Sequence, residues 1–528
     1  MVEPVRLTLL GDASLRKHVG PCSEEIDAIG LLAANITYAF TRVVHRRSID
    51  LRLPDGPPTR SHTVTERVGV GRPSGALRKI LVPLALAQFI CSFAGSNMNV
   101  MITDISKDLG TTVQGVQIAI TLFLLVMAAL MIPGGKLTDR WGRKRCFTMG
   151  LVIYGVGALM SAASPGLGVL ILGNSILEGV GTALLIPPVY ILTTLLFSEM
   201  TSRARAFGII TGMGGVGAAA GPLIGGLITT AISWRAAFVF QALVIAVIVW
   251  LSRDIVDPVE PDPTRPFDRL GAVLSAVGLI LVVMGVLSAD NNLALMAVLL
   301  VVGAVFLVMF FLHIRARERR DQEPLLSTGL FRNRTSNLGL VTQNVQWLLL
   351  MGTAFVVSAY LQVVRGYNAI QTGVIFTAAT GGILVSSLAA ERLAKKYAQR
   401  TLIMAGFITT IAGVVVLLAL VKGSPSPWAF APGLLLIGLG VGVMLTPSVN
   451  VVQSAFPEER QGEISGLSRC ISNLGSSLGT AVAGTILVSG LTNRSYAASM
   501  IVLAIVGIVG LGAGLLLPSR RAPHALDV

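Results

Sequence analysis

Two side chains in this 528-residue chain carry charge where almost nothing around them does: Glu178, inside the apolar run 167–196, and Arg469, inside the apolar run 465–490. A carboxylate in such a run is costly unless it faces protein or water, so Glu178 is a candidate to take up and release a proton. A guanidinium there needs an acid, a carbonyl dipole or an anionic substrate, and Glu178 itself is one partner that could satisfy Arg469. Asp104, at the end of the run 80–102, is the second acid to consider. Polar side chains also recur along apolar stretches: Gln88, Ser92, Ser96, Asn99 and Thr103; Gln343, Gln346 and Thr353; Asn450 and Gln453; and Ser472, Ser476 and Thr480 beyond Arg469. Ser175, Glu178 and Thr182 have the spacing that puts them on one face of a helix. Such stripes most simply face an aqueous cavity, which makes Gln88, Asn99, Ser175, Gln343, Gln346, Asn450 and Arg469 the candidates to line one. Single Ser and Thr residues also bond their own preceding turn and weigh less.

Little else could do chemistry. There is no P-loop of the form G-x-x-x-x-G-K-[ST], so ATP is not expected to drive the protein, and no nucleophile elbow or cluster of His, Glu and Cys has metal-ligand spacing. Cys22, Cys91, Cys146 and Cys470 are scattered and suggest no disulfide framework. An enzyme, a bound metal and a resident cofactor are therefore not expected.

The elements that must position these residues are membrane helices. The chain is 53% hydrophobic and only 13% charged, against about a quarter charged in soluble domains. Fourteen apolar runs approach the ~20 residues a helix needs to cross a bilayer core: 80–102, 116–132, 147–163, 167–196, 206–231, 238–251, 270–287, 293–314, 338–364, 374–390, 402–421, 428–456, 465–490 and 496–517. This is an all-α polytopic membrane protein. The net charge of +14 would suggest nucleic acid in a soluble chain. Here the Lys and Arg gather in alternate loops, and the others hold only Lys107, Arg235, Arg365, Lys422 and Arg494. That asymmetry places both termini on the cytoplasmic side and leaves nucleic acid out. Residues 1–79 read as a basic, disordered cytoplasmic tail with an amphipathic surface helix over 26–40 and no signal peptide; translation starting near Val68 or Val70 is the alternative. Residues 518–528 form a second cytoplasmic tail.

Between the second and third runs lies PGGKLTDRWGRKR, residues 133–145, read as a short cytoplasmic hairpin. Glycines let such a turn pack closely, and Asp139 can cap a helix or pair with an Arg. Charge alone would make it a topological anchor at an anionic leaflet. The pattern Gly135, Leu137, Asp139, Arg140, Gly142, Arg143 and Lys144 resembles the signature loop of the major facilitator superfamily. That resemblance implies two six-helix bundles, 80–251 and 338–517, joined by a linker and two inserted helices over 252–337. It also makes the hairpin a conformational latch.

The fourteen-run layout is similar to the drug:proton antiporter family, as are LFRNR at 330–334, YLQVVRGYNAIQTG at 360–373 and SNLGSSLGTA at 472–481. Gly212, Gly221, Pro222, Gly225 and Gly226, with Gly208 and Gly217 adding small-xxx-small steps, resemble the antiporter motif that packs the fifth helix tightly. The chain departs from that family twice: Ser175 and Glu178 stand where Arg and Gln are usual, and Ala94 stands where the first helix usually carries an Asp. The resemblance implies a secondary transporter of alternating access that exports hydrophobic or amphipathic small molecules in exchange for protons. It is expected to act as a monomer in the cytoplasmic membrane, with substrate, protons and lipid as its partners. The rivals are a proton-independent or uptake carrier for a metabolite and a membrane sensor that transports nothing.

Overall fold

The computed structural model describes residues 74–518, apart from 198–199, 290–291, 424–425 and 458–459. The surface helix expected over 26–40, most of the N-terminal tail and nearly all of the C-terminal tail lie outside the described residues. Among the described residues, fourteen helices are long and apolar enough to cross a membrane: α1 (Lys79–Asp108), α2 (Val113–Trp141), α3 (Arg143–Ala162), α4 (Leu167–Leu196), α5 (Arg205–Ala231), α6 (Trp234–Asp254), α7 (Arg269–Leu287), α8 (Leu293–Glu318), α9 (Arg334–Val364), α10 (Ala369–Ser387), α11 (Gln399–Leu420), α12 (Pro427–Gln453), α13 (Gln461–Val488) and α14 (Asn493–Leu515). No strand occurs among the described residues.

Local chemistry sets the helix ends. The Oγ1 or Oγ of Thr112, Ser233 and Thr492 accepts from the backbone N–H three residues on, and Asn368 with Gln371 forms a reciprocal capping box. That box starts α10 at Ala369, five residues before the apolar run expected to begin at 374. The hairpin expected over 133–145 is much shorter than its composition suggests. Helix α2 runs through Pro133 to Trp141, and Gly142 alone makes the turn at φ 94°, a conformation open to glycine and poorly accessible to other residues. The first turn of α3 is capped from the linker: Asp257 Oδ2 accepts from the N–H of Arg143 at 2.5 Å and of Lys144 at 3.3 Å.

Helices α1 to α6 pack among themselves, as do α9 to α14, and the two groups meet along two seams. On one seam α2 lies against α13; on the other α5 lies against α10. The inserted pair is asymmetric. Helix α7 lays Val283 and Leu287 over the α2–α13 seam, against Leu125 and Ala481, whereas α8 packs chiefly on α7 and leaves Val298, Val301, Val305 and Val308 facing outward.

The insert is fastened at the end of the molecule that carries the basic turn. Asp268, 3% exposed, caps α7 by accepting from Gly271 N–H, and it also meets the ring of His313 on α8 at 2.9 Å and the Leu325 N–H at 3.2 Å. Beyond it Leu326 and Leu330 bury against Leu340, Val452, Ile464 and Leu467, so this connection forms an apolar floor under the second group of helices. Burial alone would raise the Asp268 carboxyl, but the Gly271 N–H, the His313 ring and the Leu325 N–H outweigh it and hold the group below its ordinary value. A carboxyl lowered on folding adds stability above its unfolded pKa of about 3.9 and loses it as pH falls through the folded value. Thermal unfolding in detergent should therefore show Asp268→Ala less stable by about 1–3 kcal/mol at neutral pH, the cost of a lost cap and of stranded buried donors. Wild type and variant should converge in acid; equal stability at neutral pH would remove this role.

Candidate functional site

Among the described residues, Glu178 and Arg469 are the Asp, Glu, Lys, Arg or His residues that lie more than two turns from either end of a membrane helix. They are not paired with each other. Glu178 is 0% exposed and closes a π-helical turn, Ile171–Glu178, that interrupts α4. Both its carboxyl oxygens lack a hydrogen-bond partner. Its neighbours are inside the first group of helices: Cys91 of α1, and Tyr154 and Ser161 of α3. The Tyr154 hydroxyl donates to Gln241 Oε1 of α6 at 2.6 Å. A charge at Glu178 would thus stand in a closed pocket with no hydrogen bond to its oxygens, at a cost of several kcal/mol.

The face expected to carry Ser175, Glu178 and Thr182 together is broken up by the π turn. Ser175 donates to the Ala119 carbonyl of α2 at 2.7 Å, and Thr182 donates back to the Glu178 carbonyl at 2.8 Å. Ser175 is fully buried and serves the α2–α4 contact rather than a cavity.

Arg469 reaches the other way, across the boundary between the two groups. Its guanidinium lies over the ring of Tyr190 on α4, 4.7 Å from the centroid, and donates to the Tyr190 hydroxyl. That hydroxyl donates to Gln88 Oε1 of α1 at 3.2 Å, and Gln88 Nε2 donates to Ser92 Oγ at 3.2 Å. Phe207 of α5 stacks with Tyr190, the ring centroids 6.0 Å apart. Gly214 of α5 abuts Gln88. Arg469, Tyr190, Phe207 and Gln88 therefore form one cluster drawn from α13, α4, α5 and α1. Tyr190 and Phe207 were not singled out by sequence, because an aromatic in an apolar span carries no signal of its own.

The remaining expected residues separate into three places. Asn99 belongs to a seal at the end opposite the basic turn, where its carbonyl accepts from Ser358 Oγ at 2.5 Å and from Gln362 Nε2 at 2.8 Å, and Gln362 Oε1 accepts from the Thr103 N–H at 3.2 Å. Gln117 adds to the seal from α2, donating to the carbonyls of Thr480 at 3.0 Å and Ala481 at 3.3 Å and to Thr485 Oγ1 at 3.3 Å. Asp104 is exposed beside this end, away from Glu178. Gln343 accepts from Ser468 at 2.9 Å within the second group, Gln346 is 1% exposed with neither amide atom bonded, and Asn450 is exposed. Gln117 and Gln362 carried the same signal as Gln346, an amide in an apolar run.

The glycine series on α5 also divides. A Cβ at Gly217 would run into the Phe89 carbonyl, one at Gly221 into Ser96, and one at Gly225 would press on Asn97, so these three seat α5 on α1. Gly226 abuts Ala369 of α10, and the Pro222 carbonyl faces Gly373. Gly208 and Gly212 meet nothing and leave open space instead. At the basic turn, Asp139 pairs with Arg143 at 2.9 Å and with Arg265 of the linker at 3.2 Å, Lys144 Nζ donates to the Arg253 carbonyl at 2.9 Å, and Arg140 has no ion pair or hydrogen bond among the described residues. Lys136 reaches the connection beneath the second group, pairing with Glu323 at 2.7 Å. Gly135 packs near Pro187 of α4.

Two helical groups, sealed at one end and joined across their boundary by a charged, aromatic cluster, have the layout of a membrane transporter. The chain belongs to the Major Facilitator Superfamily, whose family model matches residues 84–331, 268–480 and 340–527. It is 31% identical to a puromycin resistance protein of Streptomyces alboniger over 77% of this chain and 81% of that one. It is 29% identical to a multidrug efflux pump of Mycolicibacterium smegmatis (70% and 72%) and 25% identical to a riboflavin transporter of Clostridioides difficile (78% and 89%). The crystal structure of a peptide transporter shares the fold, with a TM-score of 0.63 at 16% identity over 84% of this chain and 96% of that one.

The seal rests mainly on Gln117 and Gln362. Their replacement together by Ala should shift the distance between spin labels at positions 107 and 365 toward longer separations; an unchanged distribution would show that the remaining contacts, the Ser358 Oγ bond to the Asn99 carbonyl among them, close this end.

Proposed function

We propose that this transporter exports hydrophobic or amphipathic small molecules in exchange for protons, with Glu178 as the proton carrier. One observation carries the coupling: a carboxyl with no exposure and no hydrogen-bond partner, set between α1, α3 and α4. Such a group cannot hold a bare charge without water, so its ionisation requires these helices to part. Protonation and helix rearrangement are then linked, as alternating access demands. The drug-resistance relatives support the export direction, and the charge asymmetry of the loops supports a cytoplasmic basic end with both termini inside the cell membrane.

In this reading residues 80–251 and 338–517 rock about the two seams, 252–337 supplies the linker and inserted pair, and the Lys136–Glu323 pair reports the state of the basic end. The working unit is a monomer in lipid, and the proton gradient takes the place of a cofactor.

Proteoliposomes with an imposed pH gradient and a fluorescent amphipathic dye test the coupling. Wild type should move dye only while the gradient stands, and Glu178→Gln should fall to the level of protein-free vesicles. Gradient-driven flux that survives in Glu178→Gln would leave the carrier but remove this proton site. Flux indifferent to the gradient in wild type would favour a proton-independent carrier. The orientation is tested separately: a cysteine at position 140 should react with an impermeant maleimide in inside-out vesicles and not in intact cells.

A further inference from the structure

We infer that Arg469 selects the substrate, and that the class it favours is a planar aromatic body bearing an anionic group. The inference rests on the export reading above and narrows it. Of the two charges deep in the membrane helices among the described residues, the acid is enclosed within the first helical group, while Arg469 is half-buried on the face of α13 turned toward that group. On the same face, toward the basic end, a Cβ at Gly466 or Gly462 would meet nothing within 4 Å. The guanidinium therefore borders space between the two halves. The deep charge available to a substrate is positive.

Arg469 has no acidic partner among the described residues; what holds it is the ring and hydroxyl of Tyr190. A cation over an aromatic face gains about 0.5–2 kcal/mol. A carboxylate, sulfonate or phosphate gives shorter, charge-assisted and often two-pronged bonds to the same group, and these are stronger still away from water. An anionic substrate thus displaces Tyr190 from Arg469. The ring released is already stacked with Phe207, and this pair offers a flat aromatic surface beside the guanidinium. A cationic substrate meets the guanidinium unscreened and gains nothing from it.

Substrate arrival also cuts the link from Arg469 through Tyr190 to Gln88, which joins the second half to the first. Binding and release of the two halves become one event.

The test is equilibrium binding without any gradient, so that it stands apart from proton coupling. The full chain in lipid nanodiscs is titrated with pyrenebutyrate, its primary amide and the matching pyrenebutylammonium, and the signal from protein-free nanodiscs is subtracted. Wild type should bind the acid at least ~10-fold more tightly than the amide, equivalent to about 1.4 kcal/mol, and the ammonium most weakly. Arg469→Gln should bring acid and amide to near-equal affinity, and Arg469→Lys should restore most of the difference, which separates lost charge from lost folding. A wild-type protein that binds acid and amide alike, binds the ammonium best, or keeps its preference in Arg469→Gln overturns the inference. Failure of gradient-driven export with the binding preference intact would instead overturn the export reading alone.

Discussion

A membrane interior tolerates charge only where something answers it, and among the described residues two deep charges are answered in opposite ways. Glu178 is shut away inside one helical half with nothing bonded to its oxygens. Arg469 is answered weakly, by an aromatic ring and a hydroxyl from the other half. The acid is an internal affair of α1, α3 and α4. The guanidinium is an affair between halves. Pairing the two directly would have made a stable and useless bridge; keeping them apart leaves each with a reason to change its surroundings when a proton or a ligand arrives.

The packing around them is uneven in a way that suits motion. At the end opposite the basic turn, amide side chains stitch the halves through backbone carbonyls, which cannot be lost by changing a partner's side chain. Helix α7 lies over the α2–α13 seam like a splint, whereas the α5–α10 seam has no such cover among the described residues. On α5 the glycines from 217 to 225 hold it against α1, while Gly208 and Gly212 border open space. One stretch of a single helix is tightly seated and the other is not.

Much of this was legible in the sequence. The number of spans follows from the lengths of apolar runs, since a bilayer fixes how long a helix must be. Glu178 and Arg469 were visible as lone charges for the same reason. The helix ends were less so: the PGGKLTDRW stretch looks like a loop by charge, yet only Gly142 is needed to turn the chain, because Asp257, more than a hundred residues away in the sequence, caps the start of α3. The partnership of Arg469 with Tyr190 could not be read at all. It joins residues far apart in sequence, and neither an aromatic nor a hydroxyl changes the periodicity of an apolar helix. Ser175 misled because the usual helical spacing does not hold where α4 adopts a π turn.

That π turn has a consequence for the geometry of the whole cluster. A π turn is the mark of one residue too many for the regular winding, and each residue of a regular helix rotates the chain by about 100°. Everything on α4 beyond Glu178 is therefore indexed by this single insertion. Rewinding the turn into regular helix would swing Tyr190 off the arginine it faces without breaking α4. The acid and the aromatic platform are thus geared to each other through the pitch of one helix, with no side chain needed to connect them.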